Sequence, residues 1–562
     1  MSPDFVLEVA DIAWERIHLV IRVRLSPLPD TSSGTVARDV SFVFADGERV
    51  FDVDSVDEGG GHFAIRINVT TFANRAAIPV GDWRIRARGG EAVGPAAFCA
   101  PAAVDALEDA SRIFLYDAHR SALTVSFGVE ESSDQPERLD FLIHSNHLHR
   151  APERARSPRA RASRVGSSVR EALVRAAYRL FVRLRGPDPT RILFASDQKP
   201  TMEGNLLRVH ERMLARGLDE RFDLRLSFRL PRTTGWLTTL RVVYLLATSG
   251  TILLDDYFGL LNTITIDRRS RVIQVWHAGV GFKSVGYSRF GSIDSPKLRQ
   301  PHRQYTYAIC GSEHLRPVYA EAFGIEESAV IPTGLPRIDW FLDADRTAAF
   351  RDAFAAEFPH LRGKRIILFA PTFRGSSYHT AFYDDAAIDF DALYDACGAD
   401  TVVLFRMHHF VKKALPIPEQ YRDRFFDFTR FPDGLGLLHV TDLLITDYSS
   451  IIYEYSLLDR PMLFFAPDRA VYAATRGFHQ DFEETAPGRV CDTFDDVVRA
   501  LREGDFATEK RARFRAENFD WIDTGAGDRV IDWLILDQHP ETHVGPPLDA
   551  VSSTPAWEAE ER

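Results

Sequence analysis

Only four cysteines, Cys99, Cys310, Cys397 and Cys491, occur in 562 residues; they lie far apart and form no CxxC pair. That scarcity argues against a disulfide framework or a cysteine-held zinc and fits a reducing, cytoplasmic setting. No run reaches the ~18 uncharged apolar residues of a spanning helix. The N-terminal stretch MSPDFVLEVADIAWERIHLVIRVRL lacks a basic region followed by an apolar one, so no signal peptide is expected. A Walker A loop, a GxGxxG fingerprint, an HExxH pair and repeated acidic metal motifs are all missing. No metal or other cofactor is therefore expected. The net charge of −12 argues against general nucleic-acid binding. Any work at a membrane would be done from its surface.

What is present is globular: 45% hydrophobic, 26% charged, 40 phenylalanines, and length for roughly three or four domains. Residues 1–149 alternate apolar and polar positions in HLVIRVRL, VSFVFAD, HFAIRINVT and GDWRIRARG. This pattern predicts a small β-rich domain, an antiparallel sandwich. Residues 150–188 change character, with eleven Arg against two Glu between 150 and 186. The first half, rich in Arg, Ser, Pro and Ala, predicts a linker. In the second half Val169, Leu173, Ala176, Leu180 and Leu184 recur at helical spacing, with Arg170, Arg175, Arg179 and Arg183 between them. Two readings of helix 168–185 stand: a solvated helix packed on its neighbour, or a basic interfacial helix held by an anionic membrane surface.

From residue 189 short apolar runs end in polar or small residues and alternate with helical stretches: RILFASD, TILLDD, VIQVWH, YAICGS, AVIPTG, RIILFAPT, TVVLFRMH, LLITDYSS, PMLFFAPD. The alternation predicts parallel sheets covered on both faces, whose ligands bind at the carboxyl ends of the strands. At those ends stand Pro371, Thr372 and Arg374; Arg406, Met407, His408 and His409; Arg337; and Ser449 with Ser450. Ser449 and Ser450 open a predicted helix, where free N–H groups favour an anion, and Glu454 shares a face with Ser450. His277 follows a strand and precedes a glycine-rich loop with Gly279, Gly281 and Lys283. A histidine so placed suits proton transfer.

These residues resemble the CDP-glycerol glycerophosphotransferase family, which makes teichoic-acid and capsule polymers. The resemblance runs from about 190 to 537 through SDQKPTMEGNLLRVHERM, ILLDD, QVWHAGVGFKSVG, CGSEHLRPVYAEAFG, PTGLPRID, FAPTFRG, FRMHHF, LITDYSSIIYEYSLLDRPMLFF and DTGAGDRVID. It implies a GT-B-like fold, two Rossmann-type domains facing a cleft: an acceptor-side domain at 189–329 and a CDP-donor domain at 330–540, with a tail at 541–562. It implies transfer of glycerol- or ribitol-phosphate from a CDP-linked donor to a polymer or lipid-linked hydroxyl, releasing CMP. It assigns catalysis to His277 and His408. It assigns donor binding to Gly279, Gly281, Lys283, Arg337, Pro371, Thr372, Arg374, Arg406, Met407, Ser449, Ser450 and Glu454. HAGVGFK departs from the HGTPLK of many polymerases. Two alternatives remain open: a sugar-nucleotide glycosyltransferase on the same fold, and a noncatalytic scaffold of a wall-polymer assembly.

Overall fold

The computed structural model describes residues 6–538 apart from 27–39, 48, 90–91, 100–106, 108–109, 118, 132–137, 150–157, 231–234, 278, 280, 293–294, 299–300 and 376–379, with backbone alone at 92, 149 and 158–167. The tail at 541–562 and the linker residues 150–157 lie outside the described residues.

The described residues between 6 and 149 include twelve strands linked by hydrogen bonds in one connected sheet, not two separate sheets of a sandwich. Pairing is antiparallel except for a short parallel match of Val6–Glu15 with Phe98–Cys99. The alternating residues close on a core that includes Leu19, Ile21, Phe42, Phe44, Ile65, Trp83, Val125 and Phe141.

The helix begins at Pro158 and runs to Leu184, so ten residues read as linker belong to it. Proline suits a first helical turn, where its missing N–H is not needed, and alanine and arginine are good helix formers. Its buried stripe is Val174 and Tyr178, backed by Ala177, Phe181 and Val182, against the helix Trp236–Thr248. The Phe181 and Tyr244 rings meet edge to face at 5.4 Å, and the Asp267 N–H donates to the Tyr178 hydroxyl at 2.8 Å. Val169, Leu173, Leu180 and Leu184 are instead exposed, by 52–68%.

Two six-stranded parallel sheets follow. The first has the order Asp223–Phe228, Asp188–Ser196, Ser249–Leu254, Arg271–Gln274, Tyr307–Ile309, Val330–Ile331. The second has the order Phe425–Asp427, Thr401–Phe405, Arg365–Phe369, Leu443–Thr446, Met462–Phe465, Arg489–Cys491. Runs such as TVVLF are buried at every position, as strands covered on both faces require. In the second sheet the strand order reverses between Arg365–Phe369 and Leu443–Thr446, and such a switch point opens a crevice at the strand ends.

Residues 526–535 do not stay with the second sheet. Ala526–Arg529 and Val530–Ile535 return to the first: Asp528 pairs with Arg212, Asp532 with Arg216, and Arg271 donates to the Leu534 carbonyl. Asp339, only 1% exposed, accepts from the Ala526 and Gly527 N–H groups at 2.9 Å each. The four cysteines are buried and none is joined in a disulfide among the described residues. Among the described residues no helix is long and apolar enough to cross a membrane.

Candidate active site

A cleft of about 590 Å³ lies between the two parallel sheets, with Lys199, His277, Arg337, Trp340, Asp433 and His439 in its walls. His277 leaves the strand Arg271–Gln274 through Val275 and Trp276, and Trp276 sits at φ 47°, a left-handed conformation rare for a bulky residue. Strain of this kind persists only where the surroundings impose it. Here the Asn205 side-chain amide donates to the carbonyls of Val275 and Trp276, at 2.8 Å each.

The His277 ring is part exposed, and its Nδ1 lies 3.2 Å from the Asp255 carbonyl oxygen and 3.3 Å from an Asp256 carboxylate oxygen. Two acceptors beside Nδ1 favour the tautomer protonated there, which leaves the Nε2 lone pair free to take a proton. Burial raises the Asp256 carboxyl above its ordinary range, while His277 acts in the opposite sense. Asp255, nearly fully buried, is reached by Lys199 at 3.3 Å.

The loop after His277 presses on the short helix Ile451–Ser456. A Cβ on Gly279 would lie 2.5–2.6 Å from ring carbons of Tyr453, so only glycine fits. Gly281, at φ 133°, faces Leu315 and the Tyr453 hydroxyl. Arg337 donates to the His277 carbonyl at 2.5 Å and pairs with Glu454, which is 2% exposed. Glu454 therefore points its carboxylate at Arg337. The Arg337 N–H donates in turn to Asn205 at 2.8 Å.

Farther along the loop, Ser284 N–H donates to Gly477 and His479 N–H to Phe282, both at 3.2 Å, so Lys283 is carried across to the second sheet. Burial pushes the Lys283 ammonium down to about 8; Asp447 opposes the shift, and Arg374 and Arg476 add to it. Arg374 is held between carboxylates: it donates to Asp468 at 2.6 and 2.9 Å, to Asp447 at 2.8 Å and to the Thr372 carbonyl at 2.9 Å. Burial works against its charge, but Asp447 and Asp468 outweigh it and keep the guanidinium protonated. Asp447 also accepts from the Thr372 N–H at 2.7 Å, and the Thr372 hydroxyl is buried without a partner. Pro371 is buried beside it.

His408 packs on Phe373, ring centroids 4.7 Å apart, and its Nδ1 accepts from the Phe410 N–H at 3.2 Å. Burial, helped by His409 and Lys283, lowers it to about 4. It is thus neutral at pH 7, with its remaining proton on Nε2, a donor and not a cation. Arg406 turns to the Phe428 and Phe431 carbonyls, at 3.1 and 2.6 Å, and the Met407 N–H donates to Thr429 at 3.1 Å. Ser449 and Ser450 are half-buried. The Ser449 hydroxyl accepts weakly from Ile451 N–H at 3.4 Å, and Ser450 makes no side-chain cap.

The structure brings His277, Arg337 and Glu454 into one group and Lys283, Thr372, Arg374 and His408 into another, joined by the loop 277–284. Asp256, Asp447, Asp468 and Asn205 entered no sequence assignment. The paired aspartates ending TILLDD were the available signal for Asp256. Among the described residues no group of three or more His, Cys, Asp or Glu side chains gathers as a metal site.

Residues 176–536 match the family described as CDP-Glycerol:Poly(glycerophosphate) glycerophosphotransferase. The chain is 40% identical over 344 residues to the teichoic acid ribitol-phosphate polymerase TarL of Staphylococcus aureus, which covers 60% of this chain and 61% of that one. It is 38% identical over 366 residues to TarK of the same organism, a teichoic acid ribitol-phosphate polymerase, covering 64% and 71%. The chain thus spans about three fifths of the length of TarL. Among solved structures, the wall teichoic acid polymerase TagF shares the fold over 67% of this chain and 98% of that one, with a TM-score of 0.53 at 20% identity.

Proposed function

Because the chain belongs to the CDP-glycerol:poly(glycerophosphate) glycerophosphotransferase family, we propose that it transfers an alditol phosphate from a CDP-linked donor to a hydroxyl of a wall-polymer or lipid-linked acceptor, releasing CMP. The observation that carries this reading is the half-exposed, carboxylate-backed His277 on a loop whose other end brings Lys283 to the switch point of the second sheet.

In this reading the two parallel sheets are the two halves of a GT-B fold, the second holding the donor. The acceptor oxygen attacks the phosphorus that bears the alditol, and its proton passes to His277 Nε2. The bond from that phosphorus to the bridging oxygen breaks, and CMP leaves with both electrons. Asp256 and the Asp255 carbonyl hold the imidazole in the accepting tautomer and stabilise it once protonated. Lys283 meets the diphosphate as an ammonium. His408 offers its Nε2 proton, and Thr372, Ser449 and Ser450 offer hydroxyls. Fixed donors in a partly dry site cost no reorganisation as charge moves onto CMP.

The outward stripe of the helix Pro158–Leu184 supports peripheral attachment at the inner membrane face. Exposed leucines alternate there with Arg175, Arg179 and Arg183, and Leu237 is exposed nearby on the packed helix. Basic residues near an anionic surface contribute about 1 kcal/mol each.

Incubation with CDP-ribitol, CDP-glycerol and sugar nucleotides, with an acceptor, tests the reaction. The two staphylococcal relatives are described as ribitol-phosphate polymerases, so CDP-ribitol leads the panel. CMP release is the expected product. UDP or GDP release would indicate sugar transfer, and no turnover with tight capture of an assembly protein would indicate a scaffold.

A further inference from the structure

We infer that the N-terminal β-sheet is a working part of the active site: it positions the Lys283 loop, and Arg16 is the residue that ties sheet, loop and second parallel sheet together. The inference rests on the donor-side role proposed above for that loop.

The loop is anchored at both ends. Beyond Lys283, Tyr287 and Phe290 are buried in the core of the N-terminal sheet itself, with Phe290 stacked on Tyr116 at 5.4 Å and packed on Phe114 at 5.8 Å. Arg303 donates to the Tyr287 hydroxyl at 2.7 Å and also reaches the Thr70 carbonyl in the turn after the N-terminal strand His62–Asn68. Before and after Lys283, backbone bonds join Phe282 and Ser284 to the segment Gly477–His479.

Arg16 braces this junction. It stands at φ 58° in the turn between the first two strands, a left-handed position that an arginine seldom occupies. Its Nε and Nη2 donate to Glu321 at 3.0 and 2.8 Å, and its Nη1 donates to the His479 carbonyl at 2.7 Å. Glu321 is 3% exposed, on the helix Arg316–Phe323 beside the first parallel sheet. His18 Nδ1 and His479 Nε2 approach the same carboxylate at 3.2 and 3.3 Å. Burial opposes ionisation of Glu321, but its bonds to His18, His479 and Arg16 prevail and hold the carboxyl well below its ordinary range. A buried carboxylate demands such partners, so Arg16 is fixed in place. Through His479 it fixes the segment on which Phe282 and Ser284 hang.

The test compares full-length wild type with Arg16→Ala and Arg16→Lys, the latter keeping the charge but losing the fork. Amide exchange at Ser284 and His479 is expected to quicken in Arg16→Ala, while Ile273 in the sheet stays protected. Donor kcat/KM should fall about tenfold or more, the scale of a lost charged hydrogen bond. Most of that fall should lie in donor KM, and Arg16→Lys should recover part of it. Adding Glu321→Gln to Arg16→Ala should cost less than the sum of the single changes. Unchanged exchange at Ser284 and His479 would overturn the inference. So would faster exchange with unaltered donor kinetics, or a loss confined to the folded fraction with KM intact. If the wild type releases CMP from no CDP-alditol, the proposed function fails while the exchange measurement still decides whether Arg16 holds the loop.

Discussion

Arg337 and Glu454 form an ion pair directly behind the His277 loop, and the same guanidinium holds the His277 carbonyl. The pair connects the base candidate to the helix that follows Ser449 and Ser450. Removing one partner of a buried pair leaves a charge without compensation, which costs about 3–5 kcal/mol. Glu454→Ala is therefore expected to lower the melting temperature markedly and to cut turnover, whereas Glu454→Asp retains the charge and loses less. Thermal denaturation checks this; an unshifted midpoint in Glu454→Ala would show the pair to be dispensable.

Asp256 has the geometry of an orienting carboxylate. Asp256→Asn keeps the shape but removes the charge that favours a proton on His277 Nδ1, so kcat should fall by about 10²–10⁴-fold with donor binding retained. Burial raises the Asp256 carboxyl, so its carboxylate forms only above the ordinary aspartate range. Activity should be lost as pH falls through that raised value. Single-turnover rates and equilibrium donor binding, measured side by side, separate the two effects.

Lys283 gives the opposite limb. With its pKa near 8 in the free protein, the ammonium is present at pH 7 and is lost as pH rises through that value. Donor kcat/KM, which reports the free protein, should fall above about pH 8. Lys283→Arg stays charged and should flatten that fall to about pH 9; Lys283→Ala should give a low, level profile. A wild-type profile level across this range would remove the ammonium from donor capture.

The outer face of Pro158–Leu184 predicts vesicle binding. Replacing Leu173, Leu180 and Leu184 together by Asp touches no buried residue, so folding should survive. Each leucine that enters lipid contributes about 1.5–3 kcal/mol, so sedimentation with anionic vesicles should drop to background. Equal sedimentation of variant and wild type would leave this stripe facing water.

The parallel strands were legible because strands buried on both faces appear as unbroken apolar runs, and their polar ends marked where to look for a ligand. Pairings across the chain were not. Arg374 reads as a free cation at a strand tip, yet its carboxylates at Asp447 and Asp468 lie 73 and 94 residues away. The helical spacing of Leu173, Leu180 and Leu184 was plain, but Tyr178 and Phe181, whose rings choose the buried side, determine that this stripe faces outward. The N-terminal strands could be read from alternation. Their attachment could not, because Arg16 meets Glu321 across 305 residues.

The backbone passes between the parallel sheets twice, once between Phe341 and Arg365 and again before Ala526, and Asp339 on the helix Pro336–Phe341 holds the start of the returning segment. Two crossings hold the halves in register where a single crossing would let them slide or twist on each other. Cutting the chain before residue 526 would remove the bonds of the returning segment to Asp339, Arg212 and Arg216 and leave one crossing, so the walls of the cleft would be held in register less tightly.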